Sequence, residues 1–519
     1  MLEYWNIGRR HPLEGRALSR PATTKCGPPE PLFVFLHHSN IPIFQHSIEV
    51  IAKRKLKKMK KTMRFENVLK GLKAILLATV VSFVPLLNNA GESFTITSDE
   101  ASGIYPAGRD IVFTIKPGEG KTAADLEKAS AKILFNGDTE IAADKASAAG
   151  AMTLRVKPSK PGAYRCDVTL PASGGAKPNT SSAGTLVCPA EIRSVGVEPA
   201  DFDAFWKTKK DVLKSTPLKF DLSPLSEEQQ KTVAGAEYEC FTLSIDVPVK
   251  GVRPVMGYFV RPKTTKAGGC PAILRLRAAG VAGSWCIASP KEAMNFAKTY
   301  GAMVLDINAH GIPNDKTKDY YEKIENGDLK NYSSIGKNNK DDFYFVGMYL
   351  RLLRSIDFLC TQKAWDGRHL IAIGESQGGG QSLAAAGLDS RVSAISAIVP
   401  ALCALTDPQL AGWPRPLGWN SKQVVMNDEA REIAKAVAYC DNVFLASRSK
   451  AETQIFAGLI DTTCPATGIF ATYNNISTKK SIIAYPHKGH QGLPKEDQWI
   501  GEIHTLQKAF IQQHLNSGN

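Results

Sequence analysis

Residues 370–383 read Leu-Ile-Ala-Ile-Gly-Glu-Ser-Gln-Gly-Gly-Gly-Gln-Ser-Leu. Leu370–Ile373 is a short apolar run, the signature of a buried strand. Gly374-Glu375-Ser376-Gln377-Gly378 is G-x-S-x-G, and an Ala-rich stretch continues from Leu383 to Leu388. Strand, sharp turn and helix in that order make a nucleophile elbow, which holds a serine hydroxyl clear at the strand tip. Small residues flank the serine because so tight a turn crowds its own backbone. The helix N-terminus that follows favours developing negative charge. Three fixed residues recur by chance in a chain with 42 glycines. The weight therefore comes from the flanking strand and helix, and from what lies further along.

A serine hydroxyl is a weak nucleophile at neutral pH and needs a base beside it. On an elbow the partners follow in the order serine, carboxylate, histidine. Gln454–Asp461 is an apolar strand ending in a carboxylate, and Ser481–Pro486 is a second strand followed by Gly489-His490. The steps of 85 and 29 residues carry Ser376, Asp461 and His490 to one edge of a parallel sheet. Ser376 then attacks, His490 serves as base and then acid, and Asp461 orients the imidazole. Two alternatives stand beside this: Asp461 as a helix cap before Thr462–Pro465, and His487 as the base. Glu375 reads as a solvated or loop-bonding carboxylate. The oxyanion needs two backbone N–H donors. One is Gln377, directly after the nucleophile. The other lies within Ala279-Gly280-Val281-Ala282-Gly283, the loop after the strand Ala272–Leu276.

Further matches are more specific. Pro199-Ala200-Asp201-Phe202-Asp203-Ala204-Phe205-Trp206, Gly374–Gly380, Gly458-Leu459-Ile460-Asp461-Thr462-Thr463-Cys464-Pro465, Pro400–Cys403 and the Tyr485-Pro486 strand end all bear on one family. The chain resembles the acetyl xylan esterase/cephalosporin-C deacetylase family of α/β-hydrolases over about residues 197–515. The resemblance implies a doubly wound, mostly parallel sheet, a serine esterase removing acetyl groups, and no metal or organic cofactor. It also implies an acetylated polysaccharide or oligosaccharide as substrate, and a homo-oligomer, since members are often ring-like. Where the family has His-Gly-Tyr, this chain has Ala279-Gly280-Val281. Val281 keeps its backbone donor, but the tyrosine side chain that shapes the acyl pocket is gone. The family's insertion maps to Ile312–Lys340 and Thr406–Val425, the second of which brings Trp413 and Trp419 as candidate sugar-pocket residues.

Of the 519 residues, 1–90 hold 15 Lys/Arg and 5 Asp/Glu, so they carry +10 of the formal +14. The remainder is only mildly basic, which argues against nucleic acid as a partner. Lys53–Lys61 is basic, Ala74–Leu87 is a 14-residue apolar run, and Asn88-Asn89-Ala90 offers a small residue for cleavage. That order is a signal peptide, and the run is short for a membrane span. Met59 and Met63 stand closer to it than Met1 does, which suggests an upstream extension over residues 1–62, a signal peptide over 63–90, and export.

Between residues 91 and 192, short alternating segments (Phe94–Thr97, Ile111–Ile115, Lys132–Phe135, Met152–Val156, Ala163–Leu170) suggest an all-β, immunoglobulin-like sandwich. Its aromatics form no evident stacking platform, so a spacer or packing role fits it better than sugar binding. Cys166 and Cys188 fall in its last strands and are candidates to pair after export. There are nine cysteines after residue 90 and no C-x-x-C pair, which argues against a structural zinc. Val197–Leu213 has one apolar helical face. From Tyr238 to the end, strand and helix signals alternate, giving an α/β catalytic unit over residues 193–519. Two other readings remain: a different α/β-hydrolase, such as a peptidase, and a non-catalytic carbohydrate-binding protein on a hydrolase fold.

Overall fold

The computed structural model describes residues 92–172, 177–418, 426–490 and 498–517. The signal-like segment and Trp419 lie outside them. The first nine strands are β1 (Phe94–Ser98), β2 (Ile104–Tyr105), β3 (Ile111–Pro117), β4 (Ser130–Phe135), β5 (Thr139–Ile141), β6 (Asp144–Ala148), β7 (Ala151–Val156), β8 (Gly162–Leu170) and β9 (Asn179–Val187). They form a four-stranded sheet, β1-β3-β7-β6, and a five-stranded sheet, β2-β9-β8-β4-β5. In β3 and β7 alternate residues point inward, as the two-residue repeat requires. Ile111, Phe113 and Ile115 of β3 meet Phe135, Tyr164 and Val168 in one buried core. The strands β2, β5, β6 and β9 and one helix, Ala123–Lys128, are added to the five strands read from sequence. Thr122 caps it with a capping box, and Leu126 anchors it in that core.

The strand register corrects one expectation. Cys166 lies opposite Ala183 across the β8–β9 pair. Cys188 is five residues further along, about 16 Å at the usual rise per strand residue. A disulfide needs Cα atoms within about 7 Å. Cys166 accordingly stays a buried thiol.

The second sheet has nine strands: β10 (Phe220–Pro224), β11 (Tyr238–Ile245), β12 (Val255–Pro262), β13 (Cys270–Leu276), β14 (Met303–Ile307), β15 (Trp365–Glu375), β16 (Ala394–Ile398), β17 (Glu452–Gly458) and β18 (Lys480–Tyr485). Their order is β10-β11-β12-β14-β13-β15-β16-β17-β18. β10 to β12 are antiparallel to their neighbours, and from β14 onward every pair is parallel. Helices cover the sheet, so its central strands are buried on both sides: all five residues of β14 and of β16 are buried. The helix expected from Val197 begins later, at Phe202. It buries Phe202, Phe205, Trp206 and Leu213, and the Trp206 indole N–H donates to the Tyr439 carbonyl at 2.9 Å.

Parallel registry brings five strand ends together. Leu276 of β13 pairs with Gly374 of β15, Glu375 with Ile398 of β16, Ile398 with Phe456 of β17, and Gly458 with Tyr485 of β18. The segments leaving β13, β15, β17 and β18 carry Val281, Ser376, Asp461 and His490.

The front sheets pack against two of those same loops. The Gly184 N–H of β9 donates to the Pro486 carbonyl at 2.9 Å. Asn474 donates to the Pro189 and Ile192 carbonyls, and Leu186 and Ile192 join the core of the large sheet. A Cβ on Gly184 would stand 2.4 Å from the Leu459 carbonyl oxygen. Gly184→Ala therefore forces this backbone seam open. Its expected cost is about 1–3 kcal/mol of stability, read from urea unfolding. An unchanged midpoint would mean the seam contributes little.

Candidate active site

The elbow is formed as its glycines demand. Ser376 sits at φ 56° and ψ −119°, a region that costs a non-glycine residue about 1–3 kcal/mol. The cost is offset by fixed neighbours. The Ser376 N–H donates to the Ile398 carbonyl, and the Ser376 carbonyl accepts from Ala401 and Gly380 at 2.9 and 3.0 Å. A Cβ at Gly374 would come within 2.3 Å of the Gly378 carbonyl carbon, and one at Gly378 within 2.3 Å of the Leu276 oxygen. Both positions exclude side chains because the helix Gln377–Leu388 starts directly against the ends of β13 and β15.

Ser376, His490 and Asp461 come together. Ser376 Oγ and His490 Nε2 are 2.9 Å apart, and His490 Nδ1 and Asp461 Oδ2 are 2.8 Å apart. A carboxylate only accepts, so Nδ1 carries the ring proton and Nε2 is free to accept from the serine hydroxyl. The other Asp461 oxygen, Oδ1, accepts the Thr463 and Cys464 N–H groups, each at 2.8 Å. Capping the turn and orienting the histidine are thus both done by Asp461, one with each oxygen. His487 makes no such contact, and burial pushes its pKa below the usual value.

The Ala279–Gly283 loop is clamped from both sides. His310 Nε2 lies 2.8 Å from the Gly280 carbonyl, and His310 Nδ1 lies 2.8 Å from the Tyr344 hydroxyl. A carbonyl only accepts, so the proton is on Nε2 and the Tyr344 hydroxyl donates to Nδ1. Burial, with Arg351 adding to it, pushes the His310 pKa down to about 3, so the ring stays neutral. The Gly280 N–H donates to the Tyr332 hydroxyl at 3.3 Å, and that hydroxyl donates to the Gln377 side-chain oxygen at 2.7 Å. A trans peptide directs its N–H opposite to its C=O. Fixing the Gly280 carbonyl on His310 therefore aims the Val281 N–H the other way. Among the described residues, no acceptor takes up the backbone N–H of Val281 or of Gln377.

Below the loop, Arg277 is held by buried Asp306 and by Glu292, and its carbonyl accepts from Gln381 of the elbow helix. Trp413 is half-buried, its ring 6.0 Å from that of Tyr332 and 5.8 Å from that of Phe345. Its ring packs against both aromatics and stays partly exposed. His310 and Tyr332 escaped the sequence reading. Tyr332 falls in the flagged insertion Ile312–Lys340, but nothing local to Asn331-Tyr332-Ser333 marks it.

The comparisons with known proteins fit this geometry. The family model for acetyl xylan esterase (AXE1) matches residues 190–500. Acetyl esterase Axe7A of Xylanibacter ruminicola is 30% identical over 311 residues, 58% of this chain and 66% of that protein, so the match spans slightly less than two thirds of the relative. The solved acetyl xylan esterase from Paenibacillus sp. R4 superposes with a TM-score of 0.51 at 25% identity, covering 62% of this chain and 98% of that one. With more than half its length matched by the family model, and an α/β-hydrolase-like sheet beneath the matched residues, the chain belongs to the acetyl xylan esterase family.

Proposed function

We propose that the protein is an exported serine esterase that removes acetyl groups from xylan-type polysaccharide or oligosaccharides. The observation that carries this is the hydrogen-bonded run from Ser376 Oγ through His490 to Asp461, beside two open peptide donors, Gln377 on the elbow and Val281 on the neighbouring loop. Ser376 attacks the ester carbonyl while His490 Nε2 takes its proton. The oxyanion is received by the Gln377 and Val281 N–H groups. His490 returns the proton to the departing sugar hydroxyl, leaving an acetyl-serine. Water, deprotonated by His490, attacks that ester and frees acetate, and Ser376 recovers its proton. Tyr332, Trp413 and Phe345 pack together behind the loop, which supports a short acyl group. We take the front sheets as an immunoglobulin-like sandwich whose role is to brace the loops of Asp461 and His490.

The test is acetate release from acetylated xylo-oligosaccharides by the full chain, beside hydrolysis of a simple aryl acetate. Release from both supports the proposal. Turnover of the aryl ester alone would keep the mechanism and discard the substrate.

The clamp makes its own prediction. Tyr332→Phe removes the link between Gly280 and Gln377 but keeps the ring. Its expected effect is a fall in kcat of about 10–100-fold with KM little changed, somewhat less than the loss of a whole oxyanion donor. An unchanged kcat would show that the loop holds its place without the hydroxyl.

A further inference from the structure

Trp285 is 63% exposed. Trp206, by contrast, is buried, and Trp365 and Trp413 are partly covered. Phe220, the other exposed Phe or Trp among the described residues, is in edge contact with Phe358 at 5.0 Å. Leaving most of an indole in water forgoes burial, and large apolar surface left open is characteristic of binding sites.

The ring is also held still. Its Nε1–H donates to the Ala279 carbonyl at 2.9 Å. A Cβ on Gly283 would stand 2.5 Å from its Cε2 and Cζ2, and one on Gly280 3.3 Å from its Nε1. The indole therefore lies against the glycine backbone of the Ala279–Gly283 loop. Neighbouring Cys286 is buried, and its N–H is tied to the Gly283 carbonyl at 3.1 Å. One side of the ring covers glycine backbone, and its only polar atom is already used. What remains is a flat, apolar, pre-oriented surface with nothing to donate or accept. Such a surface suits a ligand that is flat and apolar on one side and polar around its edge, with its own hydroxyls left to water. A pyranose ring, with C–H groups on its faces and hydroxyls at its rim, has that shape.

We infer that Trp285 is a stacking subsite for a pyranose unit of the substrate chain, next to the unit whose acetyl group is removed. The inference rests on the proposed esterase reading and adds a substrate contact to it. Its position follows from the same loop. Gly280 is joined through Tyr332 to Gln377, the residue after the nucleophile, so one run of hydrogen bonds ties the plate to the oxyanion donors. A sugar seated on the plate is thereby fixed relative to the reacting ester.

The experiment compares kcat/KM for acetylated xylotetraose with that for an acetylated methyl xyloside. It uses the full-length protein and its Trp285→Ala, Trp285→Phe and Gly283→Ala variants. The native protein is expected to prefer the tetraose. Trp285→Ala should shrink that preference about tenfold, mainly through KM, while Trp285→Phe, which keeps an aromatic face, restores much of it. Gly283→Ala, which pushes the ring off its seat, should shrink it as well. Equal losses on both substrates would overturn the subsite and make Trp285 a loop support. So would an unchanged preference while acetylated sugars are still turned over. Turnover of simple esters with none of any acetylated sugar would instead overturn the carbohydrate reading, and the subsite with it.

Discussion

Ser376→Ala lowers kcat for ester hydrolysis about 10⁵–10⁶-fold, the scale seen when the nucleophile of such a constellation is lost. The fold should survive. Ser376 is buried, and the substitution deletes one oxygen whose only hydrogen bond among the described residues is to His490. Alanine meets the same backbone penalty as serine at φ 56°, so the strain of the elbow is unchanged. The lost hydrogen bond is worth about 1 kcal/mol net. A protein that unfolds at nearly the native temperature but retains only this residual acetate release is the expected result. Adding His490→Ala should cost little more, because the imidazole acts only through the serine. Residual turnover, if the Gln377 and Val281 donors work as proposed, stays about 10³–10⁴ above the uncatalysed rate. Hydrolysis within tenfold of the native rate in Ser376→Ala would sink the assignment.

The parts of this site that were legible in the sequence share a physical character. Ser376, Asp461 and His490 each follow a strand that is apolar enough to be recognised, and parallel registry does the rest: once the strands pair, their tips must align. The Ala279–Gly283 loop was legible for the same reason, as the exit of β13. What the sequence hid is whatever reaches the site from elsewhere in the chain. Tyr332 and His310 meet Gly280 across 52 and 30 residues of sequence, through side-chain contacts that no periodicity encodes. Trp285 sits six residues from the carbonyl it binds, but only its exposure in the folded chain distinguishes it from a core tryptophan. The strand β10 was missed because four of its five residues are exposed, so it carries no burial pattern. The seating of the front sheets was equally invisible. It depends on Gly184 lying flat against Leu459 and Pro486, which stand two and four residues before Asp461 and His490. A segment readable only as a spacer or packing unit proves to press on the strand ends that carry two of the three site residues.

Asp461→Asn tests the orienting role more sharply than removal of the side chain would. The two carboxylate oxygens have different work. Oδ1 accepts two peptide N–H groups, from Thr463 and Cys464, and Oδ2 accepts from His490 Nδ1. Asparagine is nearly the same size, but its nitrogen cannot accept. Facing the two peptide donors with an NH₂ group would leave three donors against one another in a buried turn, so the amide oxygen must take the Oδ1 place. The NH₂ group then points at His490 Nδ1 and donates to it. The ring proton is driven onto Nε2, which faces Ser376 Oγ and can no longer accept the hydroxyl proton. The expected loss is about 10⁴-fold in kcat with KM nearly unchanged, since the ester-binding groups are untouched. The cap is retained, so thermal unfolding of Asp461→Asn should stay close to native. Asp461→Ala strands both peptide N–H groups and should lose about 1–3 kcal/mol of stability as well as activity. The pair of variants therefore separates the two oxygens: activity without stability is lost in one, both in the other. If Asp461→Asn kept kcat within tenfold, the carboxylate would be a turn cap alone, and His490 would have to be oriented by something else.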